Sequence, residues 1–160
     1  MLGALMYLSK LLLSFLPNIH MVGMLIMVYT LVYRTKALIP IYVYVLLTGL
    51  FDGFGLWWIP YLYIWTVLWA VTMLLPKKMP RWAQMTVYPA VCALHGLAFG
   101  TLYAPVQALM FGYSFKTTLA WIASGFVFDL LHAAGNFAFG LLIVPAVSLL
   151  KYLERQKKDL

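Results

Sequence analysis

The chain has 160 residues, 65% of them hydrophobic and only 9% charged, with a formal net charge of +7. Soluble domains carry roughly 25% charged residues, and no water-soluble fold of this size hides so much apolar surface, so a soluble enzyme or carrier is excluded. The basic residues sit in short clusters between apolar runs, not on a stripe with interleaved aromatics, and this excludes a nucleic-acid partner.

What remains is an all-α integral membrane protein, one domain over residues 1–160, held in membrane lipid. Six apolar segments are predicted, each closed by a breaker. The first runs from about Leu2 to Leu16 and ends at Pro17-Asn18. It lacks a basic leader and a small-residue cleavage site, so it reads as a retained span. The second covers about Ile19 to Tyr33 and ends at "RTK". The third covers about Ala37 to Phe51 and ends at Asp52-Gly53, a strong turn signal. The fourth, about Ile59 to Leu75, ends at "PKKMPR". The fifth, about Trp82 to Phe111, contains Pro89 and Pro105, which are expected to kink it or mark its true ends. The sixth, about Thr117 to Leu153, is long enough to cross and protrude.

Several segments are shorter than the ~20 residues of an ideal span, and a five-span arrangement with the third and fourth as a re-entrant pair is the alternative. Charge favours six. With a cytoplasmic amino terminus, Arg34, Lys36, Lys77, Lys78, Arg81, Lys151, Arg155, Lys157 and Lys158 all face the cytoplasm, nine of the eleven basic residues. Lys116 and Lys10 are the exceptions. The expectation is a compact bundle of six transmembrane helices with both termini cytoplasmic.

Within the sixth segment, "FVFDLLHAAGNFAFG" places an acid, a histidine and an asparagine at bilayer depth. Asp129, His132 and Asn136 are spaced three and four apart and share one helical face. Polar groups in hydrocarbon cost several kcal/mol each, so they have a partner or a task. The structural reading pairs Asp129 with Lys10, near the middle of the first segment, or with His132, and lets Asn136 cap backbone groups. The functional reading makes them contacts for a substrate. His95 stands near the middle of the fifth segment, followed by Gly96 and Gly100, spaced for close approach of another helix. A catalytic set would be Asp129, His132 and His95, but no metal-ligand cluster and no phosphate-binding loop with a lysine is present. No catalytic residue, metal ligand or cofactor is assigned. The single cysteine, Cys92, excludes an intramolecular disulfide.

"DGFGLWWIPYLYIW" joins the third and fourth segments. Asp52, Trp57, Trp58, Tyr61, Tyr63 and Trp65 form either an interfacial aromatic belt or a lid over a cavity, suited to stacking on a flat ring. Gly53 and Gly55 would let such a loop move. Tyr103, Gln107 and Tyr113, and Asn18 and His20 in the first outer turn, would line the same mouth.

Six short helices, cytoplasmic termini, the "SFLPN" turn and "FDLLHAAGNF" resemble the substrate-binding S components of energy-coupling factor transporters, over nearly the whole chain. The resemblance implies high-affinity capture of a vitamin, vitamin precursor or similar micronutrient at the cell membrane. It also implies association with a transmembrane coupling subunit and two cytoplasmic ATPases, and ligand release by toppling. The pocket it implies lies in the outer half and maps to Asn18, the loop from Asp52 to Trp58, Tyr61, Tyr103 and the helix carrying Asp129, His132 and Asn136. The family's first helix commonly bears an Ala-x-x-x-Ala docking surface; here Gly3, Ala4 and Ser9 are the small residues. A planar heterocycle suits the aromatic mouth. A small intramembrane enzyme and a structural subunit without a ligand are the competing classes.

Overall fold

A computed structural model describes residues 1–157, and every described element is helical. Lys158, counted above with the basic residues, lies outside the described residues. Helix α1 spans Leu2–Leu12, α2 Val22–Tyr33, α3 Leu38–Asp52 and α4 Tyr61–Leu74. Helix α5 spans Arg81–Leu97, α6 Phe99–Phe111, α7 Phe115–Gly140 and α8 Ile143–Gln156. Short 3-10 turns at Arg34–Ala37 and Leu56–Trp58 lead into α3 and α4.

Cross-helix contacts fix the direction of each limb. Tyr29 of α2 reaches the Leu2 carbonyl, and Tyr33 reaches Glu154 of α8 at 2.8 Å. Trp58 bonds to the Val45 carbonyl, while Arg34 bonds to the Met73 carbonyl, so α3 and α4 are antiparallel. Asn136 meets Cys92, and Asp129 meets Gly100, so α7 runs back along α5 and α6. Six limbs therefore alternate in direction, with α5–α6 and α7–α8 each forming one limb. The start of α1 and the end of α8 lie together at the end where α2 closes.

The exterior is that of a membrane protein. Four helical stretches, Val22–Asp52, Leu56–Leu74, Arg81–Phe111 and Phe115–Gly140, are long and apolar enough to cross a membrane. Leucines, valines and phenylalanines such as Leu46, Leu74, Leu94, Leu109 and Val127 face outward, whereas Asp129, His132 and Asn136 are buried. Buried threonines satisfy themselves within their own helices: Thr30, Thr48 and Thr72 donate to the carbonyls of Ile26, Val45 and Leu68.

Several expectations change here. The first helix stops at Leu12, not Leu16, so Lys10 sits in its last turn instead of mid-span. There it bonds with Asp52, which also accepts from the Tyr7 hydroxyl at 2.9 Å. The Lys10–Asp129 pair does not form. Pro89 and Pro105 lie inside helices, and the fifth limb breaks between them, at Ala98. Trp65 is no interfacial residue: it is fully buried in the core, edge-on to Tyr44 and Tyr61.

The most extensive helix pairing is α5 against α7, and Gly96 lets the two backbones meet closely. A Cβ at Gly96 would come within 2.9 Å of the His132 carbonyl and of the Asn136 amide. Gly96→Val should therefore force the two helices apart, at a cost of roughly 1–3 kcal/mol, typical of overpacking. Thermal unfolding in mild detergent reads this, and an unshifted transition would mean that the interface is loose.

Candidate functional site

The break at Ala98 is the starting point for the site. Where a helix restarts, its first amides have no partner within the helix. One of these, the Gly100 N–H, donates to Asp129 Oδ1 at 3.0 Å. A carboxylate at a helix N-terminus is favoured by the local dipole, so α7 supplies the acceptor that α6 needs. Asp129 is 6% exposed. No hydrogen bond joins it to His132.

Beside this contact is a cavity of about 330 Å³. The turn after α1 contributes Asn18. Helix α6 contributes Phe99, Gly100, Tyr103 and Gln107, and α7 contributes Trp121, Gly125, Phe128, Asp129 and His132. Tyr103 and Trp121 stack at 6.0 Å with their planes 23° apart, and Phe99 lies 4.8 Å from the His132 ring. A Cβ at Gly125 would meet nothing within 4 Å, so the glycine opens the helix surface to the cavity. Among the described residues the lining contains one carboxylate and neither lysine nor arginine.

A second cavity of about 240 Å³ adjoins it, sharing Asn18, Phe99 and His132 and adding Lys10, His20 and Tyr61. His132 thus stands in the partition. Its Nε2 is buried with no protein hydrogen-bond partner, and its ring meets His20 edge-on at 4.8 Å. Asn18 holds φ +59, a left-handed conformation that asparagine tolerates better than most residues.

Of the residues singled out from sequence, Asn18, Tyr103, Asp129 and His132 converge on the larger cavity, with Gln107 beside them. Tyr61 and His20 line the smaller one. Asp52, Trp57, Trp58 and Asn136 line neither. Asp52 is taken up by Lys10 and Tyr7. The Trp57 carbonyl accepts from the Tyr103 hydroxyl at 2.9 Å, so Trp57 holds a cavity residue from behind. The Trp58 indole is pinned to the Val45 carbonyl at 2.7 Å, which anchors the loop. Asn136 donates to the Cys92 carbonyl at 3.1 Å and packs between α5 and α7, bracing backbone as one of the two readings expected. Tyr113 packs on Phe111 and lines neither cavity. His95 bonds to the Ile64 carbonyl and does not line the cavity with Asp129 and His132. Among the described residues no group of three or more His, Cys, Asp or Glu side chains is placed to hold a metal.

Phe99, Trp121, Gly125 and Phe128 were not singled out from sequence. Gly125, one turn before Asp129, and Trp121, a turn before that, continue the polar stripe toward the start of α7, and extending the stripe would have reached them.

Comparison with family models, with characterised proteins and with solved structures finds no match.

Proposed function

We propose that the chain is the membrane-embedded capture subunit of a micronutrient importer of the energy-coupling factor type. In this reading it crosses the membrane six times, both termini face the cytoplasm, and the larger cavity is the ligand site. The carrying observation is the cavity's place and lining. It lies toward the end opposite the termini, with aromatic rings on its walls and Asp129 and His132 on its floor. A lining with a carboxylate and no cation favours a flat ring that donates a hydrogen bond over an anionic ligand. The ATPases and the transmembrane coupling subunit are separate partners in this proposal. Docking through α1 would use a surface of Gly3, Ala4 and Ser9.

Two experiments test the proposal. Protein purified in mild detergent should retain a small aromatic molecule visible by mass spectrometry, and the isolated chain in liposomes should bind it without accumulating it. Energised uptake by this chain alone would sink the importer assignment, and preparations free of any small molecule would favour a structural subunit.

Topology is tested by labelling single cysteines on a Cys92→Ala background. Cysteines near Lys78 and Lys157 should react only from the cytoplasmic side, and those near Asn18 and Gly55 only from outside. Labelling of Lys78 and Gly55 positions from one side would rule out six crossings.

A further inference from the structure

The end of the bundle that carries the termini holds a groove of about 250 Å³, distinct from the two cavities above. Arg34, Lys77 and Lys151 line it, with Gln84 and Tyr88 beside them. The three cations come from three parts of the chain: the 3-10 turn after α2, the α4–α5 connection, and α8. Among the described residues no Asp or Glu lines the groove. Glu154, one turn beyond Lys151 on α8, accepts from the Tyr33 hydroxyl at 2.8 Å. The salt bridge between Lys10 and Asp52 lies at the other end of the bundle. Glu154 forms no salt bridge with any of the three lining cations, and like charges facing one groove favour an anion between them.

Arg34 is held for this position. Its φ of +55 is uncommon outside glycine, and α4 fixes it from two sides. The Arg34 guanidinium donates to the Met73 carbonyl at 3.1 Å, and the Trp69 indole donates to the Arg34 carbonyl at 3.1 Å. Only one of the five guanidinium N–H groups is used by that bond. A strained, anchored arginine with spare planar donors matches the geometry of a phosphate oxygen pair. Leu31, Leu75 and Val147 complete the groove with apolar surface.

We propose that this groove binds a phosphate group, supplied by the headgroup of an anionic phospholipid or by a soluble phosphate. Basic pockets between helices at the cytoplasmic membrane face are suited to such headgroups. The excess of basic residues at this end accounts for their side of the membrane but not for their convergence. Lys36 and Arg81 lie at the same end without lining the groove.

That contrast supplies the test. Full-length protein in mild detergent is titrated with phosphatidylglycerol, with phosphatidylcholine and with inorganic phosphate, and binding is counted by native mass spectrometry. Phosphatidylglycerol or phosphate should bind Lys77→Gln/Lys151→Gln about tenfold more weakly than the unaltered chain. Lys36→Gln/Arg81→Gln, which removes the same charge outside the groove, should stay within about twofold. Binding of phosphatidylglycerol alone assigns the groove to lipid, and its displacement by inorganic phosphate assigns it to the free anion. Equal losses in the two double variants, or no preference over phosphatidylcholine together with no phosphate binding, overturn the proposal.

Discussion

Gly125→Leu should abolish ligand capture while leaving the bundle as stable as before, or slightly more so. A Cβ at this position meets no atom within 4 Å, and the position faces the larger cavity, so a leucine side chain would occupy the space proposed for the ligand. Loss of at least about 100-fold in affinity is expected, equivalent to roughly 2.7 kcal/mol. Stability should move the other way, because glycine inside a helix costs about 0.5–1 kcal/mol relative to alanine. Calorimetric or fluorescence titration with the co-purified molecule measures the first effect, and thermal unfolding without ligand measures the second. Undiminished affinity in a folded Gly125→Leu protein would move the ligand out of this cavity, and the smaller one lined by Lys10, His20 and Tyr61 would take its place.

Asp129 carries the second large effect, and two substitutions divide its roles. Asparagine keeps an oxygen able to accept from the Gly100 amide but removes the carboxylate. Asp129→Asn should therefore fold normally and weaken ligand binding by roughly 1–3 kcal/mol, the usual cost of losing a buried polar partner. Leucine removes the acceptor as well, so Asp129→Leu should also lower the unfolding temperature, because the Gly100 N–H is stranded at the start of α6. The partner of Lys10 is tested in the same way. Double-mutant cycles should show coupling between Lys10 and Asp52 and additivity between Lys10 and Asp129, since only the first pair is in contact. Coupling of Lys10 to Asp129 would contradict this geometry.

Apolar run length and breaker residues made the limbs legible in the sequence, because both report directly on backbone cost in lipid. Asp52-Gly53 ends α3 as the turn signal requires, with Gly53 at φ +95. Helix boundaries inside a limb were not legible. Proline marks where a helix tolerates a lost hydrogen bond, and Pro89 and Pro105 are absorbed within α5 and α6. The break at Ala98 instead coincides with Asp129, a residue of another helix that takes up the amide freed there. No local pattern encodes that. The polar stripe was legible as a stripe from its spacing, but not in the division of its parts. Asp129 and His132 reach the cavity, whereas Asn136, one turn further on, is enclosed between α5 and α7. The aromatic loop was legible as unusual, yet its Trp58 indole ties it to the Val45 carbonyl and its Trp57 carbonyl holds the Tyr103 hydroxyl, while the cavity rings come from α6 and α7. Composition records that aromatic rings are abundant; only tertiary contact decides which of them face a void.

The Gly100 amide gives the molecule an internal gauge. Its nitrogen stands 3.0 Å from Asp129 Oδ1 in a hydrogen bond, and both residues line the cavity proposed for the ligand. Any guest that draws on the carboxylate withdraws electron density from that bond and alters the proton's magnetic environment. With glycine nitrogen isotopically enriched, the resonance of residue 100 should shift as the cavity fills, whereas Gly53 and Gly112, which line neither cavity, stay put. Occupancy by such a guest then becomes a spectroscopic quantity, read from the backbone with no tag on the guest.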